Sequence, residues 1–366
     1  MQPKTKGIAV AATGTTAGLV GLLVMALPAD ADQEPELPEV SATELVEQAL
    51  SAEAPAFEGT VAMNNELGLP ALPGLGLANA ESARIFHGDD GARISVQRGS
   101  TEFTAVAGPD GAWTYDSASN TATRYPGIDP TRDMPKHGGV SDPARAASEI
   151  IDLLSDSSVI TIDGTARVAD RDVYELVLTP KPSERTLLRE VTVAIDAATK
   201  LPLRFEVMPN GSPEPVVSVG FTEFDVGAQP DELFEFTPPR DAEVTTADPD
   251  KARKAGKALP MHTDPAQALD YVGVTGSGWD TVLTGTLPGD ALDGAAERLG
   301  EMSGHDGRAE NAPGDLLHRF GERFTDGEIS GFVFTTRAGT GVLTDDGRFA
   351  VGAVPRQVLI EALEQQ

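Results

Sequence analysis

The chain has 366 residues, a formal net charge of −29 and no cysteine. Without cysteine it has no disulfide, no thiol nucleophile and no lipid-modified N-terminal cysteine, and a chain of this length can bury a sufficient core by packing alone. The excess of acidic residues repels phosphate backbones and anionic headgroups, so neither a nucleic-acid partner nor polybasic docking on a membrane is expected.

The N-terminus has the pattern of an export signal. Lys4 and Lys6 precede an uncharged apolar stretch at residues 7–27, which is followed by Ala29-Asp30-Ala31. This order is typical of a secretory signal peptide, here cleaved after Ala31. A retained membrane anchor is the alternative, because about 20 apolar residues can span a bilayer. Both readings place the rest of the chain outside the cytoplasmic membrane, secreted or in the cell envelope.

Two amphipathic helices are predicted in the first half of the chain. Ser41 and Glu44 have the spacing of a capping box, and apolar residues then recur at helical spacing up to Leu50. A second helix is predicted to begin at the cap Asp142 and to carry apolar residues as far as Leu154.

Between Phe57 and Val226 the apolar residues alternate with a period of two, which is the period of a β-strand. Turn sequences typical of tight hairpins separate the apolar runs. They are Asp89-Asp90-Gly91, Pro109-Asp110-Gly111, Ser119-Asn120-Thr121 and Asn210-Gly211. We expect about eleven antiparallel strands joined mainly by hairpins.

These elements predict a mainly β (α+β) fold. The apolar face of the antiparallel sheet needs a cover, and the two predicted helices are the covers within reach. The expected architecture is a curved, partly closed sheet with helices on its concave face and space between the layers.

The sequence changes character after residue 240. Residues 241–265 are polar and are interpreted as a linker. A smaller C-terminal α+β region should follow, with these elements: a strand at residues 279–283, helices capped by Asp290 and Asp315, a hairpin at Asp345-Asp346-Gly347, and a last helix from about Arg356 to Glu364. The predicted boundaries are 1–31 for the signal peptide or anchor, 32–40 for an acidic linker, 41–240 for the β-rich domain, 241–265 for the second linker and 266–366 for the C-terminal region. Whether that region is a separate domain or an edge of the first is open.

The sequence contains no recognised catalytic or cofactor motif. The Gly-x-Ser-x-Gly elbow of hydrolases does not occur, and the glycine-rich residues 273–278 lack both the lysine of a phosphate loop and the dinucleotide spacing. The five histidines have no paired ligand spacing, and the Asp-Asp-Gly sequences lack the ligand ladder of a calcium loop. We expect no cofactor, no metal and no enzymatic activity; a hydrolase with an unrecognisable site is the weaker alternative.

Residues 67–78 contain five leucines among Gly and Pro and carry no charge. Gly and Pro prevent a continuous helix or strand, so these leucines must pack on something else. The segment is either a loop that completes the core or an apolar flap at the mouth of a cavity. Trp113 and Tyr115 are similarly either core residues or pocket residues.

Several short motifs carry a family resemblance. Phe57-Glu58-Gly59-Thr60-Val61 follows the capped helix, and the loop Gly68-Leu69-Pro70 comes next. A hairpin at residues 108–116, the sequence Lys200-Leu201-Pro202-Leu203 and the sequence at residues 234–239 come later. Over residues 41–240 these motifs resemble the lipoprotein-carrier superfamily of LolA, LolB and RseB, in the form found in actinobacteria. They are structural signatures rather than catalytic ones.

The resemblance implies an unclosed β-barrel with a helical lid and an apolar cavity that accommodates acyl chains of lipoproteins or lipids. The protein is then expected to be an extracytoplasmic carrier or sensor. Its cavity residues are expected from inward alternation or from the leucine-rich segment. They are Leu69, Leu72, Leu75, Ile94, Val96, Phe103, Trp113, Tyr115, Val193, Phe205 and Phe221. The regulator branch also has an extra C-terminal module, so the alternative is an RseB-like regulator that binds a membrane-anchored anti-sigma or other partner protein.

Overall fold

A computed structural model describes residues 35–66, 82–109, 111–126, 148, 151–247, 272–286 and 321–365. From Leu37 onward these residues belong to one compact unit. Two helices are described in full, α1 (Ala42–Ser51) and α2 (Arg356–Glu364). Its strands are β1 (Phe57–Asn65), β2 (Ser82–His87), β3 (Ala92–Arg98), β4 (Thr101–Gly108), β5 (Gly111–Asp116), β6 (Thr121–Tyr125), β7 (Ser158–Val168), β8 (Arg171–Pro180), β9 (Leu188–Asp196), β10 (Pro202–Pro209), β11 (Val217–Val226), β12 (Glu243–Thr246), β13 (Val272–Thr275), β14 (Val282–Thr286), β15 (Glu322–Asp326), β16 (Ile329–Thr335), β17 (Thr340–Thr344) and β18 (Arg348–Gly352).

The predicted N-terminal cap is confirmed. Ser41 has extended backbone angles, and its side-chain oxygen accepts a hydrogen bond from the Glu44 N–H at 3.2 Å. Of the second predicted helix, residues 151–155 are helical. Its cap, Asp142, lies outside the described residues.

The described residues between Phe57 and Val226 form eleven strands, as the alternation predicts. With β12 they make one sheet in the order β12-β6-β5-β4-β3-β2-β1-β11-β10-β9-β8-β7. The predicted turns join β2 to β3, β5 to β6 and β10 to β11, and Asn120 and Gly211 have the positive φ angles that such turns require (50° and 78°).

The large sheet is curved and is not closed into a barrel. Its two edges are β12 and β7. Phe57 and Phe224, from the middle of the sheet, lie in one buried cluster with Val168 and Val173 from β7 and β8. The expected mainly β, unclosed architecture is confirmed.

The strand β12 lies inside the segment interpreted as a linker. It pairs in parallel with β6, with Val244 opposite Ala122 and Thr245 opposite Thr123. All four of its side chains are exposed. A strand that buries no side chain shows no alternation of apolar and polar residues, which explains why the sequence pattern did not reveal it.

The C-terminal region forms a second sheet in the order β13-β14-β18-β17-β16-β15. α2 packs on one face of this sheet, where Leu359 and Leu363 are fully buried with Val282 and Val342. The predicted last helix and the hairpin at Asp345-Asp346-Gly347 are both present. The helices predicted to begin at Asp290 and Asp315 fall outside the described residues.

Trp279 departs from the expectation. It was predicted to lie in a strand, but it lies in a 3₁₀ turn at Gly278–Asp280, and the strand begins at Val282. Gly276 and Gly278 have φ angles of 84° and 63°, which direct the chain into a turn before the strand.

Candidate functional site on the large sheet

The register of the large sheet decides which of the predicted cavity residues share a face. Residues directly opposite on neighbouring strands point to the same face, as do residues two apart along a strand. Val96 lies opposite Phe103 on β4 and opposite Ala83 on β2, and Ile94 is two residues away from it. Ala83 in turn lies opposite Val61 on β1. Three predicted residues are thus on one face.

The same face continues across β11, β10 and β9. Val61 lies opposite Phe221, and Val219 is two residues away on the same strand. Val219 lies opposite Phe205, which lies opposite Val193. Six of the predicted cavity residues therefore share this side of the sheet, which we call the apolar face. They are Ile94, Val96, Phe103, Val193, Phe205 and Phe221.

The middle of the apolar face is partly open. Phe205 is 41% exposed, and Val193 and Val219 on its two sides are half-buried. An exposed aromatic side chain among half-buried valines leaves apolar surface that a ligand can remove from water.

Three further valines extend this region, and the sequence reasoning did not include them among the cavity residues. Val207 lies opposite both Val191 and Val217, and all three are half-buried. Their alternation with polar residues was visible in the sequence. Counting along each strand from Val193, Phe205 and Phe221 would have included them.

Helix α1 fills the apolar face at its β7–β9 end. Leu45 is fully buried there with Tyr174, Leu176 and Ile195, and Val193 packs against the margin of this cluster. The amphipathic spacing that predicted α1 thus supplies its packing surface. The packing of α1 reaches Val193 on β9. It does not include Phe205 on the neighbouring strand β10.

An aromatic cluster lies on β1 and β11, on the side of Phe205 away from α1. Phe57, Phe221 and Phe224 have ring centroids 4.9–6.0 Å apart, in tilted and edge-to-face arrangements. Gly59 lies beneath them, since a Cβ there would come within 2.6 Å of the Phe221 ring. Aromatic pairs of this kind contribute about 0.5–1.5 kcal/mol each beyond the area that they bury.

Trp113 and Tyr115 lie on the opposite face. Phe103 pairs with Asp116, so Tyr115, which precedes Asp116 in β5, points to the other face. Both rings pack on Phe236, with centroid separations of 5.6 Å for Trp113 and 6.2 Å for Tyr115. The structure therefore separates these two residues from the other six.

The remaining predicted cavity residues are Leu69, Leu72 and Leu75. They lie outside the described residues.

One buried carboxylate lies near the β9–β10 turn. Asp196 is 1% exposed, and it accepts hydrogen bonds from Arg171 Nε and Nη2 at 2.9 and 2.8 Å and from the Thr199 hydroxyl at 2.7 Å. Burial acts to raise the pKa of Asp196, but the hydrogen bonds from Arg171 and Thr199 outweigh it and hold the pKa below its ordinary value. Both oxygens are occupied, so the group serves the fold of this turn.

The loop between β8 and β9 contacts the second sheet through hydrogen bonds and ion pairs. Arg185 Nη1 donates to Glu361 on α2 at 2.6 Å, and the Arg185 N–H and guanidinium both bond to Asp280. The Leu187 N–H donates to the Ala353 carbonyl at 2.8 Å. We call these contacts the junction. They are polar and include a main-chain bond. Among the described residues, the buried cluster of the second sheet is separate from those of the first.

Two more contacts extend the junction. The Trp279 indole N–H donates to Ser158 Oγ at 2.8 Å. Arg337 pairs with Glu66 at the end of β1 and donates to Ser212 Oγ at 2.9 Å. These contacts all lie at one end of the large sheet, where β1, β8 and β10 end and β7, β9 and β11 begin.

The described ranges contain no group of three or more His, Asp or Glu side chains arranged to hold a metal ion. In the same part of the chain, every helix is too short or too polar to cross a bilayer.

No model of a known protein family matches the chain, and no curated protein matches it. Several solved structures are similar. The complex of MucA and MucB from Pseudomonas aeruginosa is 14% identical, over 87% of this chain and 96% of its own, with a TM-score of 0.40. LprF from Mycobacterium bovis is 14% identical, over 55% of this chain and 97% of its own, with a TM-score of 0.27. A LolA-superfamily protein from Nitrosomonas europaea is 14% identical, over 54% of this chain and 99% of its own, with a TM-score of 0.20.

The superfamily that the sequence motifs indicated is thus represented among the similar structures.

Proposed function

We propose that the protein is an extracytoplasmic binding protein that accommodates the acyl chains of lipoproteins or lipids in an apolar cavity, acting as a carrier or sensor. In this proposal it is exported, it performs no catalysis and it needs no cofactor.

The observation that carries the proposal is the position of Phe205. Phe205 is 41% exposed and lies between Val193 and Val219, next to the point where the packing of α1 ends. The side chains facing the same way nearby are valines and phenylalanines. A surface of this kind, without a charged group among its members, favours a hydrocarbon chain over a polar ligand.

The energetics suit an acyl ligand. Each methylene removed from water contributes about 0.8 kcal/mol, so a chain of ten buried methylenes would gain roughly 8 kcal/mol before the cost of association. The net charge of −29 would oppose binding of free anions. A neutral or shielded headgroup attached to the chain is therefore favoured.

The test combines ligand identification with a charge substitution. Native mass spectrometry of the protein isolated from its own host should show a bound acyl species. A fluorescent diacylated peptide should bind the wild-type protein, and Phe205→Glu should weaken this binding by tenfold or more, since it places a charge on the apolar face.

Val159→Glu is the matched control. Val159 is 50% exposed, and its neighbour Ile160 packs beneath α1, so Val159 points to the other face of the same sheet. This variant should bind the probe like the wild type. Equal binding by Phe205→Glu and wild type would refute the proposed site, and the absence of any bound acyl species would refute the proposed ligand.

The second candidate is a regulator that binds a membrane-anchored partner protein, such as an anti-sigma factor, through the C-terminal region. One observation favours it. Val351 and Val274 are 43% and 66% exposed, and both share a face with Leu283, opposite the face that α2 covers.

Deletion of residues 260–366 separates the two candidates. A carrier should still bind the acylated probe after the deletion. A regulator should lose its protein partner, and loss of the partner with retention of lipid binding would assign the two activities to different sheets.

A further inference from the structure

The edge strand β12 is attached to the large sheet without burying any of its own side chains. Its four side chains are all exposed, and Val244 is 55% exposed. A strand normally stabilises its own ordering by burying apolar surface, and a strand that buries none has little to offset the loss of chain entropy. β12 also pairs in parallel, which is the slightly weaker arrangement.

The contacts that hold β12 are hydrogen bonds. The Glu243 N–H donates to the Asn120 carbonyl at 2.9 Å, and the Ala247 N–H donates to the Arg124 carbonyl at 2.8 Å. The hydroxyls of Thr123 and Thr245 lie 3.0 Å apart. An extended segment of any polypeptide can make main-chain bonds of this kind.

The Asn120 side chain links the start of β12 to the neighbouring hairpin by two hydrogen bonds. Its side-chain amide Nδ2 donates to the Asp241 carbonyl at 2.8 Å, while its Oδ1 accepts a hydrogen bond from the Tyr115 hydroxyl at 3.0 Å. Its φ angle of 50° belongs to the turn between β5 and β6. One side chain therefore ties β12 to a turn that is itself part of the hairpin.

The strand next to β12 in the sheet is β6, and its pairing with β5 does not depend on β12. All five residues of β6 pair with β5, and Ala122 is fully buried. Release of β12 would leave the outer main-chain groups of β6 without their partners while the strand itself stayed in the sheet. An exposed edge of this kind binds extended peptides by strand addition.

We propose that β12 is a displaceable strand and that the edge of β6 takes up an extended segment of a partner polypeptide in its place. The register defines the chemistry of that segment. It needs a small or β-branched residue where Val244 lies beside Ala122, a hydroxyl or β-branched residue beside Thr123, and an acidic or hydroxyl residue beside Arg124. This inference is independent of acyl binding on the apolar face.

The cysteine-free chain permits a direct test. The double variant Thr123→Cys/Thr245→Cys places two thiols where the hydroxyls meet, so that oxidation ties β12 to β6. The probe is a fluorescent peptide with the sequence of residues 241–248. It should bind the reduced variant and the wild type, and oxidation should weaken this binding by tenfold or more, with recovery on reduction.

A peptide methylated at the amides that match Glu243 and Ala247 is the control for main-chain bonding and should not bind. Equal binding of the unmodified peptide to the oxidised and reduced forms would overturn the proposal, and so would its failure to bind the wild type.

Hydrogen exchange supplies a second measurement that does not depend on the disulfide. Asn120→Asp keeps the turn and the acceptor for Tyr115 but removes the donor to Asp241. In the wild type, the amides of residues 243–247 should exchange faster than those of β5 and β6. In Asn120→Asp they should exchange faster still. This variant should also bind the peptide probe more tightly than the wild type. Exchange of residues 243–247 as slow as that of β6 in both proteins would contradict displacement.

Discussion

Arg171 and Asp196 form a two-point ion pair in which the carboxylate is almost wholly buried and the guanidinium is 27% exposed. Asp196→Asn removes the charge that Arg171 and Thr199 are arranged to meet. Breaking a fully buried pair costs several kcal/mol. Because Arg171 can regain some hydration, we expect the free energy of unfolding to fall by about 2 to 3 kcal/mol, measured by urea denaturation.

Asp172→Asn is the control for this prediction. Asp172 pairs with Arg167 at 3.1 Å, but both side chains are about half exposed. An exposed pair contributes about 0–1 kcal/mol, so this variant should unfold close to the wild type. If both variants lost a similar amount of unfolding free energy, the burial of Asp196 would not explain the cost of losing its ion pair.

The stability of the protein should depend on pH in the acid range. The pKa values of Asp196, Asp345 and Asp346 are all held below the ordinary value, with hydrogen bonds from the Ser330 and Thr344 hydroxyls the leading cause for Asp345 and Asp346. Groups with lowered pKa contribute stability that is present above the unfolded-state pKa of about 3.9 and is lost as the pH falls through the folded-state values.

We therefore expect the urea midpoint to be flat above about pH 5 and to fall steeply below about pH 4. Asp196→Asn should make that fall shallower, because one of the linked groups is gone. A wild-type midpoint that does not change between pH 6 and pH 2 would contradict the assignment.

Two glycines of the hairpin formed by β16 and β17 differ in the space around them. A Cβ on Gly331 would overlap the Leu343 carbonyl oxygen and lie 2.7 Å from Thr344 Cα, whereas a Cβ on Gly341 would meet only Phe334 Cβ at 4.0 Å. Gly331→Ala should lower the free energy of unfolding by about 1–3 kcal/mol or more through overpacking. Gly341→Ala should be neutral or stabilising by up to about 1 kcal/mol.

Neither glycine has a positive φ, so the pair compares packing rather than backbone strain. Urea denaturation of both variants gives the comparison. Equal effects of the two substitutions would show that the contacts across the hairpin are not as close as described.

Arg185 should control the junction rather than global stability. It is 52% exposed, so loss of its pairs in Arg185→Gln should change the free energy of unfolding little. The loosened contact should still shift the emission of Trp279 to longer wavelength, because its indole N–H bonds to Ser158 across the junction. The measurement belongs in a Trp113→Phe background, since the chain has two tryptophans.

Arg323→Gln is the matched control for the junction. Arg323 is 51% exposed and pairs with Asp345 inside the second sheet. Its loss should leave the Trp279 emission unchanged. A shift of equal size in both variants would mean that the emission does not report the junction.

The elements that could be predicted from the sequence are those specified by neighbouring residues. Examples are the cap at Ser41, the turn at Asn120 and the alternation around Val193. Each depends on contacts within a few positions, so each can be predicted from the sequence. The exceptions follow the same rule. β12 buries nothing and so shows no pattern, and Trp279 was assigned to a strand because the turn imposed by Gly276 and Gly278 was not recognised.

The candidate site was only partly predictable. Phe205 and Trp113 both alternate with polar residues, and alternation separates the two sides of a strand without saying which side becomes the apolar face. Cross-strand register assigned Phe205 to that face and Trp113 to the other. The leucines at positions 69, 72 and 75 stay a sequence-based prediction.

What the amino-acid sequence determined by itself was the period of each element, the position of its turns and caps, and the acidic, cysteine-free character of the chain. Tertiary structure alone decided the shared face, the attachment of β12 and the junction, where Arg185 meets Glu361 from 176 positions away. The physical reason is that periods and turns arise from steric and hydrogen-bonding preferences over a few residues. Contacts between distant residues depend on how the whole sheet curves and pairs, and no local pattern encodes them.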